Sequence, residues 1–171
     1  MELWNAYDAD GNILGFDLVR GETVPDGVFH LVCNVIVRHI DGSYLIMRRD
    51  YNKTVYPGGL EAGAGGSVLK GEDSYSGALR ELREETGITS GELTLICTYI
   101  KPENHCIYHN YLFVTDQCKS SVKLQLGETV DYCWVYEVTF RTMLINGEII
   151  SSKSPHFRRF IETGSFIDGT K

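Results

Sequence analysis

Between Pro57 and Gly71 the chain places Gly58, Gly59, Gly63, Gly65, Gly66 and Gly71, and it then runs without a break into Glu72–Thr86, its best helical stretch. So many glycines predict a loop rather than a regular element, one whose backbone takes positive φ or is approached too closely for a side chain to fit. In the helix, Asp73 or Ser74 can cap the start, Ala78, Leu79 and Leu82 supply an apolar stripe, and Gly87 stands just past the end.

That helix carries Arg80-Glu81-Leu82-Arg83-Glu84-Glu85, which sets three carboxylates at positions i, i+3 and i+4. Side chains at that spacing share one face, where like charges repel, and glutamates near a helix C-terminus also oppose its dipole. Two readings are open. Clustered Glu and Arg commonly form a solvated, salt-bridged face. Alternatively the repulsion is relieved by a hard cation such as Mg²⁺, which takes oxygen ligands. The adjoining loop favours the second, because Gly65 and Gly66 let backbone groups approach a metal or phosphate.

Around this centre the patterning predicts strands at Leu3–Tyr7 and Ile13–Leu18 joined by a hairpin turn, then Leu31–Val37 and Tyr44–Met47 joined by Asp41-Gly42-Ser43. Leu31–Val37 is nearly continuously apolar, as a strand buried on both faces should be. Further strands are expected at Leu93–Tyr99, Ile107–Thr115 and Val130–Val135. Short helices are expected at Phe140–Ile145 and at Pro155–Ile161 behind Ser154. This order predicts a mixed sheet covered by helices on its faces, in one domain spanning 1–171 with a hairpin extension over 1–29.

A formal net charge of −7 argues against a nucleic-acid polymer as partner, since such binders need a basic face. It leaves small phosphorylated substrates open. No apolar run is long enough for a membrane span, and Met1–Asn5 does not read as a secretory leader. Five scattered cysteines without a C-x-x-C pair read as buried thiols of a reducing, cytoplasmic setting. His105, Cys106 and His109 lack a second ligand pair at zinc spacing and read as strand and loop residues. Tyr51, Tyr56, Tyr99 and Tyr108 could stack a base or sit half-buried on strands; Arg48, Arg49 and Lys53 could meet phosphate or solvent. The free edge of the front hairpin could pair two subunits, which leaves a homodimer possible.

Gly66, then Glu72, then Arg80-Glu81-Leu82-Arg83-Glu84-Glu85-Thr86-Gly87-Ile88 match every fixed position of the Nudix box, over residues 66–88, and the chain is identified as resembling a Nudix hydrolase. The resemblance implies an α/β/α sandwich and hydrolysis of a phosphoanhydride bond in a nucleoside diphosphate-linked or related organic diphosphate, with Mg²⁺ or Mn²⁺. It matches Glu84 and Glu85 to the main metal ligands, the Gly65 carbonyl to a backbone ligand, and Glu81 to a ligand or general base. Arg80 and Glu72 match a pair that orients the helix carboxylates. Glu128, before Trp134, resembles a loop glutamate used as ligand or base, and is otherwise an exposed loop acid.

The front half, with Leu3–Asp8, Pro25-Asp26-Gly27 and Phe29-His30-Leu31, resembles the branch related to isopentenyl-diphosphate isomerase. Aligned on Gly71-Glu72, Gly65 and Ser67 stand where the isomerase has a cysteine and a histidine, and neither can act as acid, base or soft ligand. His30 resembles one of the isomerase's metal-binding histidines, or is simply packed at a strand start. An isomerase and a non-catalytic nucleotide-binding module are thus the alternatives to hydrolysis. Pro102 lies near a proline of ADP-ribose-cleaving members and equally marks a turn.

Overall fold

The computed structural model describes residues 1–167. In chain order the elements are β1 (Leu3–Tyr7), β2 (Ile13–Val19), β3 (His30–His39), β4 (Ser43–Arg49), β5 (Leu60–Glu61), β6 (Ala64–Ser67), α1 (Ser74–Thr86), β7 (Glu92–Lys101), β8 (Cys106–Thr115), β9 (Thr129–Tyr136), α2 (Glu137–Ile145) and α3 (Pro155–Thr163).

β1 and β2 form an antiparallel ribbon, and the other strands form a mixed sheet in which, among the strands of the described residues, only β3 and β8 pair in parallel, from His30 opposite Cys106 to His39 opposite Thr115. β3 and β4 are registered only at their hairpin end, Arg38 opposite Tyr44. Beyond it they part: β6 takes the free side of β3, while β4 pairs with β9 and β5.

Alternation along the strands feeds two cores. Cys33, Val35, Val37, Leu45 and Met47 pack with Ala78 and Leu82 of α1. Ile36, Tyr44 and Ile46 pack with Phe140 of α2 and with Phe157 and Phe160 of α3. β3 is therefore buried from both sides, as its apolar run predicts. The expected α/β/α layering with a front hairpin is what forms.

α1 begins at Ser74 rather than Glu72, because Asp73 takes the cap: its Oδ1 accepts from Ser76 N at 2.7 Å, a contact worth about 1 kcal/mol. Gly87 ends the helix at φ 69°, donating its N–H to Arg83 O. Leu79 departs from the expected stripe and is exposed; Gly77, Ala78, Leu82, Glu85 and Thr86 form the buried face. The glycine-rich segment also departs from a pure loop. Ala64–Ser67 pairs with β3, and it can do so because side chains are missing where the strand is crowded: a Cβ on Gly65 would lie 2.7 Å from Cys33 O.

α2 starts earlier than expected, directly after β9, and Ser154 sits at the α3 cap position without a side-chain capping bond. His105 lies outside β8 in a left-handed conformation, so it does not share a strand face with His109. Cys33 and Cys106 are buried, but Cys118 and Cys133 are exposed, against the expectation of buried thiols throughout. Among the described residues no helix is long and apolar enough to cross a membrane.

Candidate active site

Where α1 packs against β6, a cavity of about 530 Å³ opens. Its wall includes Gly65, Gly66, Arg80, Glu81, Glu84, Glu85 and Glu128, so all the residues singled out from the sequence as candidate ligands or catalysts come together. Glu72 stands behind the wall and works through Arg80.

Arg80 organises the acids. Its Nε donates to Glu72 Oε1 at 2.8 Å and its Nη2 to Glu72 Oε2 and Ser67 O, both at 3.1 Å. Its Nη1 donates to Glu81 Oε1 at 2.8 Å and to Glu84 Oε2 at 3.3 Å. Burial alone would lower the pKa of this guanidinium; hydrogen bonds and charge from Glu72 and Glu81 overcome that and hold it above the ordinary arginine range.

The three helix carboxylates stand in different surroundings. Glu84 is the open one, with its side chain 41% exposed. Glu81 is largely enclosed, and burial, offset in part by Arg80, raises its pKa. Glu85 is 6% exposed and accepts one hydrogen bond, from Gly65 N at 3.3 Å. Burial, followed by the nearby charges of Glu81 and Glu61, pushes its carboxyl up to about 8. Gly66 is what lets Glu81 reach the wall, since a Cβ there would fall 2.4 Å from Glu81 Oε1.

Across the cavity, Lys53 Nζ lies 2.5 Å from Glu128 Oε2, and Arg49 Nη1 lies 2.5 Å from Glu61 Oε1. Arg48 instead turns to Gly58 O. Tyr51 and Tyr56 are exposed, while Tyr99 and Tyr108 stack on each other at 5.0 Å. The front ribbon adds Glu2, Trp4 and Arg20 to the lining, with Arg20 Nη1 2.7 Å from Glu2 Oε2. No spacing in the sequence ties these three to the helix; only the docking of the ribbon does. Trp4 stacks on His30 at 4.1 Å, and His30 Nε2 lies 3.3 Å from Cys106 Sγ, so His30 is a packed residue away from the lining.

Among the described residues no three His, Cys, Asp or Glu side chains already converge on one point as a closed ligand cage. The acids instead ring a cavity with Arg80 drawn between Glu81 and Glu84. Such an array, exclusively of oxygen donors and containing a buried carboxylate with a single weak partner, fits a hard divalent cation.

The fold is thus a mixed, split sheet between helices, with an acid-ringed cavity facing a cationic rim. The NUDIX domain family profile matches residues 28–143. The chain is 32% identical over 153 residues to a protein of Listeria monocytogenes described as an uncharacterised Nudix hydrolase, covering 88% of this chain and 89% of the relative. A counterpart in Listeria innocua is 31% identical with the same coverage. Among solved structures, DR0079 of Deinococcus radiodurans aligns with a TM-score of 0.74 at 19% identity, over 92% of this chain and 98% of that one. The Nudix domain of Shewanella oneidensis NrtR, solved with ADP ribose, aligns with a TM-score of 0.59 at 14% identity, over 80% and 86%. This chain belongs to the Nudix family, hydrolases of phosphorus-containing acid anhydrides.

Proposed function

We propose that this protein hydrolyses a phosphoanhydride bond in an organic diphosphate and that it depends on a divalent cation, Mg²⁺ or Mn²⁺. The observation that carries the reading is Glu85: a carboxylate 6% exposed, on the cavity wall, whose only hydrogen bond among the described residues is 3.3 Å long. A buried charge so poorly matched is costly unless something else occupies the space before it.

Glu84, Glu85 and the Gly65 carbonyl would hold the cation, with Glu81 and Glu128 as further oxygen donors. When bound, it supplies charge neutralisation at the diphosphate and makes water a stronger acid. Arg80, fixed by Glu72, holds Glu81 and Glu84 in position. Glu81 or Glu128 accepts the proton of the attacking water. Arg20, Arg49 and Lys53 line the cavity, and each has a carboxylate partner it can exchange for a phosphate oxygen. Because Glu2, Trp4 and Arg20 line the cavity, we read the front hairpin as part of the same catalytic unit.

Hydrolysis is favoured over isomerisation by what surrounds the cavity. Gly65 and Ser67 bring neither thiol nor imidazole to it, and His30 is stacked and paired elsewhere. The test is phosphate or monophosphate release from a panel of nucleoside, sugar-nucleotide and isoprenoid diphosphates. Cleavage that needs Mg²⁺ or Mn²⁺ and is abolished by chelator and by Glu84→Gln is expected. Cation-independent turnover, or none with any member, overturns the reading.

A further inference from the structure

The three cations on the cavity rim are not held alike. The Arg20 side chain is 61% exposed and pairs with Glu2, an acid outside the candidate ligand set. Arg49 is pinned twice, by Glu61 Oε1 at 2.5 Å and by Val55 O, which accepts from its Nε at 3.1 Å. The Lys53 ammonium has one hydrogen-bond partner among the described residues, Glu128 Oε2 at 2.5 Å. Of these three acids, Glu128 alone is also a proposed donor to the cation, so Lys53 and the cation claim the same carboxylate.

The backbones carrying the two groups are fixed without that pair. Lys53 lies in the loop after β4, where its N–H donates to Asp50 O at 3.2 Å and Arg48 Nη1 donates to Gly58 O at 2.9 Å. Glu128 precedes β9; its N–H donates to Gln125 O at 3.1 Å, and its carbonyl accepts from Asp50 N at 2.8 Å. The two side chains can therefore change partners while both loops stay in place.

The pair is also sheltered, with the Lys53 side chain 20% exposed and both residues on the cavity wall. Glu81 and Glu85 both feel the charge of Glu128, so it shares the electrostatic field of the helix acids. An ammonium is a compact charge on a flexible four-carbon stem with three donors, of which Lys53 uses one here. On one carboxylate, an ammonium and a divalent cation would repel each other. A diphosphate oxygen offers the ammonium another strong acceptor in the same cavity.

We propose that Lys53 is a substrate-binding residue handed between two acceptors: it leaves Glu128 for a diphosphate oxygen and thereby vacates Glu128 for the cation. One side chain thus couples the two ligands, and by linkage each promotes the other's binding. The inference rests on the proposed cation-dependent hydrolysis for the identity of the ligands, and it adds the residue that joins them. Neither Arg20 nor Arg49 can play this part, since the acid each would release is not among the proposed donors.

The experiment titrates Mn²⁺, with no substrate present, into wild type, Lys53→Met, Lys53→Arg, Glu128→Gln and the double variant Lys53→Met/Glu128→Gln. Free Mn²⁺ is read by electron paramagnetic resonance, and thermal melts run alongside. Binding of inorganic phosphate in chelator is followed by ³¹P NMR, and cleavage of the diphosphate panel by steady-state kinetics. Lys53→Met should bind Mn²⁺ about tenfold more tightly, the low end of what one adjacent charge does to proton affinity. It should bind inorganic phosphate more weakly, and its KM for diphosphate should rise more than its kcat falls. A merely structural role would not move the two ligands in opposite directions. Lys53→Arg should keep the wild-type Mn²⁺ affinity, and in the Glu128→Gln background Lys53→Met should bring no gain. Mn²⁺ affinity unchanged or weakened in a folded Lys53→Met, an equal gain in the Glu128→Gln background, or unaffected phosphate binding overturns the handover. Opposite shifts without cleavage of any diphosphate uphold it and remove the hydrolytic reading. Cation-dependent cleavage with Mn²⁺ affinity indifferent to Lys53 does the reverse.

Discussion

Arg80 and Glu72 form a two-pronged pair, Nε to Oε1 at 2.8 Å and Nη2 to Oε2 at 3.1 Å, and the remaining prong of the same guanidinium reaches Glu81. The planar fork is what allows one side chain to brace several carboxylates at once.

Arg80→Lys keeps the charge and loses the fork. Turnover should fall about 10- to 100-fold, the range seen when outer partners of a metal site are removed, while the fold persists. Glu72→Gln should produce a similar loss. Steady-state kinetics with circular dichroism checks both, and unchanged kcat in either variant contradicts the bracing role.

Gly66→Ala tests the cavity wall. The new Cβ would meet the Glu81 carboxylate at 2.4 Å, and because that carboxylate is the far end of a flexible side chain, it moves rather than the backbone. The melting temperature should therefore change little while activity drops by about 100-fold or more, the scale on which misplacing a catalytic group acts. Retained activity would show that the position of Glu81 is unimportant.

Glu85→Gln separates a missing cation from a merely buried acid. The folded-state pKa of Glu85, about 8, lies above the ordinary glutamate value of 4.5. Its contribution to stability is thus complete at low pH and is lost as pH rises from 4.5 through 8. In chelator at pH 7 the variant should be more stable than wild type, by on the order of 1–3 kcal/mol. It should also lose most of the rise in melting temperature that Mg²⁺ or Mn²⁺ confers on wild type. A variant less stable in chelator would contradict this account.

His30 and His156 carry the opposite sign. Burial lowers each to about 4 from 6.5, so the fold favours the neutral rings. Their contribution is complete above pH 6.5 and is lost as pH falls through 4, at most about 3 kcal/mol each. Melting temperatures from pH 7.5 to 4 should fall, and His156→Leu should flatten that slope. An unchanged slope would mean the ring is not buried neutral.

Residues 66–88 were legible because their chemistry is local. Helix spacing alone brings Glu81, Glu84 and Glu85 to one face, and Asp73 and Gly87 mark the ends by their own side-chain and backbone preferences. What escaped depends on partners distant in the chain. β6 looks like a loop because its glycines have low strand propensity, and it becomes a strand only against β3. Leu79 fits the apolar period, yet the buried face instead includes the carboxylate Glu85. Glu2, Trp4 and Arg20 reach the cavity through the backbone hydrogen bonds between Tyr7 and Phe29 and the stacking of Trp4 on His30, contacts with no periodicity to reveal them.

β6 has one more consequence. Between Ala64 and Ser67 the wall of the carboxylate cavity is bare peptide: a methyl group on Gly65 would strike Cys33 O and Asn34, and one on Gly66 would strike Glu81. What selection must maintain at those two positions is thinness. Bulk added at either position would press on β3 at one and on the Glu81 carboxylate at the other, so the alignment of the acids depends on two residues that carry no side chain at all.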